Sequence, residues 1–318
     1  MGMRVHLVAV QAELKPEVYT QPEAFRAYVL ELTQKATQGL PEGEPRLVAF
    51  PELFALPLLF WLETSPAVQQ APTSLQAALR LLKEQGPRAL RFAALGPAAF
   101  YHLRARQVWP LYQQVFAEAA RRSRAYLVAG SLFSPLLDSE PGRGLHPQHR
   151  QVHNLLLFFS PEGSILGRIP KVHLTAAERR AFLNRGPGGR QVVQTRLGRV
   201  AVLICLDAFH DDLVEQADAA GAWLLVQPSA NPARWTGPWS HDPRQVEGEV
   251  WLREGLAKKL LQRENLRYGL NPMLNGRFYE LYFEGQSGVY QAGGALALAE
   301  QAMGTEFVRA AVEAPPPG

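Results

Sequence analysis

Val5, Leu7 and Ala9 fall on one face of a strand over residues 4–10, with Arg4, His6, Val8 and Val10 on the other. Only the first of these alternate with polar residues, so the later half reads as buried on both faces. The period then changes. Phe25, Tyr28, Val29 and Leu32 recur at helical spacing, which predicts an amphipathic helix over 22–36. A short apolar strand follows at 47–50 and stops at Pro51. Helices are predicted over 76–85 and 111–123, and a strand over 125–129 that Gly130 ends. Residues 134–150, rich in Pro, Gly and His, read as a loop. Strands over 152–159 and 164–169 flank the turn Ser160, Pro161, Glu162 and Gly163, and so form a hairpin.

The second half continues the mixture. Strands over 191–195 and 200–204 meet around Gly198, a helix covers 211–220 and a buried strand 222–226. Residues 249–263 read as helix, 277–283 and 287–290 as strands, and the Ala/Pro-rich residues 310–318 as a loose tail. No short-period repeat and no change of composition marks a linker. Strand–helix alternation with hairpins predicts one α/β domain over residues 1–318, with helix layers around sheet.

Composition narrows the class without naming it. A chain of 318 residues, 47% hydrophobic and 19% charged, can bury a large core and is not a disordered one. Its longest apolar run, 53–62, is interrupted by Pro57 and is too short to cross a bilayer, so no membrane partner is expected. The opening residues read as a first strand rather than an export signal. A single cysteine forms no internal disulfide, which suits a reducing cytoplasm. The formal charge of +4 comes mostly from arginines scattered along the chain. There is no basic stripe interleaved with aromatics, and hence no expected nucleic-acid partner.

The lone cysteine, Cys205, closes the strand over 200–204, where the chain turns toward a helix and where ligands of α/β sheets gather. Backbone N–H groups at that turn would stabilise a thiolate. A small buried hydrophobe is the equal alternative for Cys205. Glu52 stands just past the strand at 47–50, directly after Pro51, and Lys171 stands just past the hairpin's second strand. Taken singly, each reads as strand-end solvation. With Cys205 they have a joint logic: a thiol needs a base, and a developing oxyanion needs a positive donor. None of the eight histidines has metal-site spacing with carboxylates, so no metal is expected. His173 is expected to pack behind Lys171, and Asp207 to bond nearby backbone and set the turn that presents Cys205.

The segments AFPELF (49–54), GRIPKVHL (167–174) and LICLDAFHDD (203–212), in that order, resemble the three signatures of the nitrilase, or carbon–nitrogen hydrolase, superfamily. YLVAGS (126–131), NLLLFFSPEGSILGR (154–168) and QPSAN (227–231) are similar to its supporting segments. The resemblance implies a four-layer αββα sandwich whose subunits pair as a homodimer. It implies a cofactor-free hydrolase that acts on a small amide with water through a thioester. In that scheme Cys205 is the nucleophile, Glu52 the base, and Lys171 with the Leu206 backbone N–H the oxyanion hole. Glu178, seven residues past Lys171, matches the family's second glutamate, and is equally a helix-start surface residue. Asn231 and Arg234 are the candidate substrate contacts, with Trp235 and Trp239 nearby in an enlarged 233–260 segment. Departures from the family pattern are Pro170 before the lysine, Leu206 in place of an aromatic, and His153–Asn154 where the hairpin commonly opens with Tyr-Asn. Leu-Asp after the cysteine, where nitrile-cleaving members tend to carry Trp-Glu, favours amides or carbamoyl compounds over nitriles. A catalytically idle scaffold and a redox sensor are the readings from other classes, and the apolar run 53–62 is the expected dimer surface.

Overall fold

The structure, a computed structural model, describes residues 2–140 and 144–315. Its strands in the first half are β1 (Met3–Leu14), β2 (Arg46–Ala49), β3 (Tyr126–Val128), β4 (Leu132–Glu140), β5 (Gly144–Phe159) and β6 (Ile165–Pro170). Next come β7 (Val192–Thr195), β8 (Gly198–Val202), β9 (Ala222–Val226) and a short pair, β10 (Pro238–Trp239) and β11 (Asp242–Val246). The last are β12 (Tyr268–Asn271), β13 (Leu274–Phe278), β14 (Leu281–Phe283), β15 (Gly288–Gln291), β16 (Gly294–Leu298) and β17 (Glu306–Ala314). One sheet runs β14-β13-β1-β2-β3-β5-β4, with β17 also on β1 and β6 on β5; a second runs β16-β15-β12-β9-β8-β7.

The faces of β1 show how the layers stack. Val8, Val10, Ala12 and Leu14 pack with Phe25, Tyr28 and Val29 of helix Pro22–Thr37 and with Trp109, Tyr112 and Phe116 of helix Ala99–Ser123. Val5, Leu7 and Ala9, pointing the other way, pack with Val200, Val202, Ile204, Leu224 and Val226 of the second sheet. The outer face of that second sheet, with Ala201, Leu203 and Leu225, packs with Leu213, Val214 and Ala217 of helix Asp211–Ala219 and with Leu256 of helix Leu256–Lys259. The order is helix, sheet, sheet, helix. A strand sandwiched on both faces must be apolar on both, which is why β1 is continuously apolar from Leu7 to Val10.

Several expectations change. Of residues 134–150, read as a loop, 134–140 belong to β4 and 144–150 to β5, which pair antiparallel with an irregularity between Pro135 and Leu137; 141–143 lie outside the described residues. β4 is an edge strand, and the first part of β5 pairs with β4 alone, so the prolines sit where a missing N–H is tolerated. The supposed tail is β17, antiparallel to β1 from Met3↔Ala314 to Gln11↔Glu306. Val308, Val312 and Ala314 are buried there; only 316–318 lie outside the described residues. The helix read over 249–263 divides at Gly255 into Glu247–Glu254 and Leu256–Lys259. The strand read over 277–283 is a hairpin of β13 and β14, turning at Tyr279 with φ 50°. The helix read from 111 begins at Ala99 and runs through Pro110. The apolar run 53–62 is not a surface: Phe54, Leu58, Leu59, Phe60, Trp61 and Leu62 are buried inside the subunit under helix Ala99–Ser123.

Candidate active site

Three strand ends meet between the two sheets. After β2, Phe50 still pairs with Val128, and Pro51, with no N–H, ends the pairing. Leu53 then adopts φ 59° and donates its N–H to Ser131 Oγ at 2.9 Å, which turns the chain and leaves Glu52 only 2% exposed. Gly130 makes this turn possible. A Cβ there would collide with the Phe54 side chain and lie 2.8 Å from the Pro51 carbonyl. Glu52 Oε1 accepts hydrogen bonds from Lys171 Nζ and Asn154 Nδ2, each at 2.8 Å, and Oε2 accepts one from the Ala230 N–H at 3.1 Å.

Lys171 follows β6 and is 1% exposed, with its N–H held by the Asn154 carbonyl at 2.8 Å. Its ammonium also reaches Glu178 at 3.0 Å. Glu178 starts a helix, as one reading had it, but it is not a surface residue. It is the third residue of helix Ala176–Arg180, closing a capping box with Thr175, and it is buried against Lys171. Asn154 joins the two carboxylates, donating to Glu178 Oε1 at 2.8 Å as well as to Glu52.

Cys205 lies beyond β8 with φ 49°, a left-handed backbone that costs a non-glycine residue about 1–3 kcal/mol. The surroundings hold it: its N–H donates to the Pro228 carbonyl at 2.9 Å, and Gln227 Nε2 donates to its carbonyl at 3.0 Å. Leu206 follows in the first turn of the 3₁₀ helix Cys205–Phe209, where backbone N–H groups have no intrahelical partner. Asp207, expected to bond the backbone of its own turn, instead reaches a distant segment. Its carboxylate accepts the N–H groups of Val172 at 3.0 Å and His173 at 2.6 Å, tying the cysteine turn to the chain just past Lys171.

Burial and charge act together here. Burial raises the Glu52 pKa above its usual range; Lys171 pulls it down, Glu178 pushes it up, and hydrogen bonds from Lys171 and the Cys205 thiol favour the charged form. Burial by itself lowers the pKa of Lys171, but Glu52, Cys205 and Glu178 outweigh it and hold the ammonium form. The thiol of Cys205 is pushed well up, first by burial and then by Glu52, against the pull of Lys171 and the Ala230 N–H. The turn therefore does not create the resting thiolate expected from its backbone N–H groups: the thiol keeps its proton beside a carboxylate able to take it.

Glu52, Lys171, Glu178 and Cys205 are thus brought together as one buried quartet. The other two candidates are not part of it. Asn231 is buried next to Ala230, but its side chain donates to the Glu284 carbonyl at 3.4 Å. Arg234 is exposed, and Trp235 is packed between Glu284, Gln286 and Trp251. Asn154 was missed as a site residue; its place in the pair that opens the hairpin was the available signal. The His173 ring stacks on His210 at 3.7 Å between centroids, and Asp212 lies 3.4 Å from His173 Nε2. Among the described residues these three form the one group of possible metal ligands. The rings are within 10° of parallel, so their in-plane lone pairs run side by side rather than converging on an ion.

Two sheets face to face between helix layers, with a buried thiol, lysine and carboxylates at the strand ends, give the protein the nitrilase fold. It belongs to the carbon–nitrogen hydrolase family, whose model matches residues 7–252. The chain is similar in structure to a carbon–nitrogen hydrolase from Helicobacter pylori G27, at 18% identity and TM-score 0.64, covering 98% of this chain and 89% of that one. It is likewise similar to Saccharomyces cerevisiae Nit3, a member of branch 10 of the nitrilase superfamily, at 15% identity and TM-score 0.60, covering 98% and 90%. A third is a mutant of the amidase from Nesterenkonia sp. AN1, at 19% identity and TM-score 0.57, covering 98% and 93%. No curated protein sequence matches the chain significantly. No helix among the described residues is long and apolar enough to cross a membrane.

Proposed function

We propose that the protein is a cysteine-dependent amidase that hydrolyses a small amide or carbamoyl compound without a cofactor. The observation that carries this is the quartet: the Cys205 thiol is hydrogen-bonded to Glu52, which also accepts from Lys171, a buried ammonium at 2.8 Å. The Nesterenkonia amidase mutant shows the result of Michael addition of acrylamide at its active-site cysteine, chemistry of the kind a thiol in this position performs.

In this reading Cys205 Sγ adds to the amide carbon while Glu52 takes the thiol proton. Charge develops on the carbonyl oxygen, where Lys171 and the Leu206 N–H stabilise it. The C–N bond breaks as Glu52 returns the proton to the leaving nitrogen, releasing ammonia or an amine and leaving a thioester. Water then adds to the thioester carbon, giving its proton to Glu52. The C–S bond breaks, the acid leaves, and the sulfur recovers its proton. Glu178 and Asn154 keep Glu52 and Lys171 aimed. The whole chain acts as a single unit in the reducing cytoplasm. Pairing into a homodimer rests on family habit, because the 53–62 run is buried inside the subunit.

An ammonia-release screen over amides, carbamoyl compounds and nitriles tests the assignment. Turnover of an amide or carbamoyl compound that vanishes in Cys205→Ala is the expected result. Release from nitriles alone would overturn the amide reading in favour of a nitrilase. Folded protein inert to all three classes would leave the scaffold reading standing.

A further inference from the structure

A second buried cation lies away from the quartet. Arg104, on helix Ala99–Ser123, is 2% exposed. Its guanidinium donates to the carbonyls of Leu59 at 2.8 Å, Leu58 at 3.2 Å and Leu62 at 2.7 Å, and to Gln107 Oε1. Every one of these partners is neutral. Glu63 is met only through Gln107, whose amide donates to Glu63 Oε2 at 2.5 Å; among the described residues no carboxylate forms an ion pair with Arg104. Carbonyl dipoles offset part of the cost of burying a charge, but they do not neutralise it.

Arg104 is also among the residues lining a cavity of about 530 Å³, together with Arg88, Arg106 and Glu63. Three guanidinium groups against one carboxylate leave a formal excess of two positive charges around it. Arg106 is steadied over the ring of Phe92, 5.5 Å from its centroid, and both Arg88 and Arg106 are exposed at the surface. None of the quartet lines this space.

We propose that this cavity is a binding site for a small dianion, a phosphate monoester or a dicarboxylate. Arg88 and Arg106 supply planar forks matched to carboxylate or phosphate oxygens, and the buried Arg104 supplies fixed charge. The excess of two charges selects a dianion over a monoanion. The site is independent of the amidase reading, since its walls and its charges belong to the 63–107 segment.

Titration calorimetry of the full chain with inorganic phosphate and with succinate, at constant ionic strength set by sodium chloride, tests the proposal. Saturable binding of at least one of them is expected, accompanied by a rise in Tm that chloride does not reproduce. Binding of phosphate alone identifies a phosphate ester, and binding of succinate alone a dicarboxylate. The Arg88→Gln, Arg106→Gln double variant should bind about tenfold more weakly or worse, with its near-UV circular dichroism unchanged. Arg106→Lys, which keeps charge but loses the fork, should fall between. Absence of saturable binding, equal stabilisation by chloride, or undiminished binding by the double variant would each overturn it.

Discussion

Lys171 and Arg104 are both buried cations, and they are treated in opposite ways. Lys171 has two carboxylates within 3.0 Å, and its ammonium form is held above the usual lysine range. Arg104 has three carbonyls and an amide, and burial pulls its pKa down to about 10. Charge partners in direct contact favour the ionised form strongly, whereas carbonyl dipoles, with Glu63 acting only from beyond Gln107, leave it desolvated. The Lys171 arrangement suits a group that must stay charged as a reaction changes the charge beside it. The Arg104 arrangement suits a helix cap or a place where a mobile anion completes the balance. Asp207 is the anionic counterpart of Arg104: a carboxylate held by backbone N–H groups, with its pKa raised by burial to about 6.

Substitutions at these positions break or sharpen the contrast. Lys171→Met should have the largest effect. It removes the oxyanion donor, so kcat should fall by about two orders of magnitude or more with less change in KM. It also leaves two carboxylates facing each other, at a cost of about 3–5 kcal/mol in urea unfolding. Asp207→Asn comes next. In the wild type, folded Asp207 keeps its proton up to pH about 6 while the unfolded group ionises near 3.8, so its contribution to stability falls as pH rises through that window. The asparagine does not titrate. The stability difference between variant and wild type should therefore move by up to about 3 kcal/mol in the variant's favour from pH 4 to pH 7. Arg104→Met should cost about 1–3 kcal/mol through lost bonds to the 58–62 carbonyls, while kcat stays within about threefold of wild type. Glu178→Gln should have the smallest effect. The acid limb of kcat/KM lies above 4.5, because burial raises Glu52 and the base must be ionised. Removing the like charge of Glu178 should shift that limb toward lower pH, and a shift the other way would contradict the placement of Glu178 beside Glu52.

What the sequence made legible depends on whether the controlling interaction was local. The short apolar strands at 47–50, 200–204 and 222–226 are continuous runs, and each is a buried strand with a chemical residue or turn at its end. Glu52 and Cys205 were legible because each stands just past such a run, Lys171 because it stands just past the hairpin's second strand, and each carries its own chemistry. Asn154 was not, because an asparagine has no chemistry of its own; it matters only by joining two carboxylates from segments 102 and 24 residues away. The strand β17 was hidden for a related reason. Its Arg, Ala and Glu residues have little intrinsic strand preference and dilute Phe307, Val308 and Val312, and the partner β1 supplies the ladder. The stretch 134–150 carried turn-forming residues, yet pairing at a sheet edge overrode them. Glu178 was left undecided because capping and ion pairing use the same carboxylate, and only the three-dimensional arrangement shows both.

The pairing of β17 with β1 sets a timetable for synthesis. β1 leaves the ribosome about 300 residues ahead of β17, so one side of its ladder waits for that distant partner; Gln11 likewise donates to the carbonyl of Gln301, 290 positions away. Contacts so distant along the chain are slow to form, and the partly made sheet carries an open apolar edge meanwhile. A chain ending at residue 305 should therefore collect in aggregates rather than fold to a slightly weakened enzyme. By the same token, Met3 and Ala314 are neighbours in the ladder, so a circular permutant that joins them by a short linker and opens in a surface loop elsewhere should make this ladder early and escape the wait.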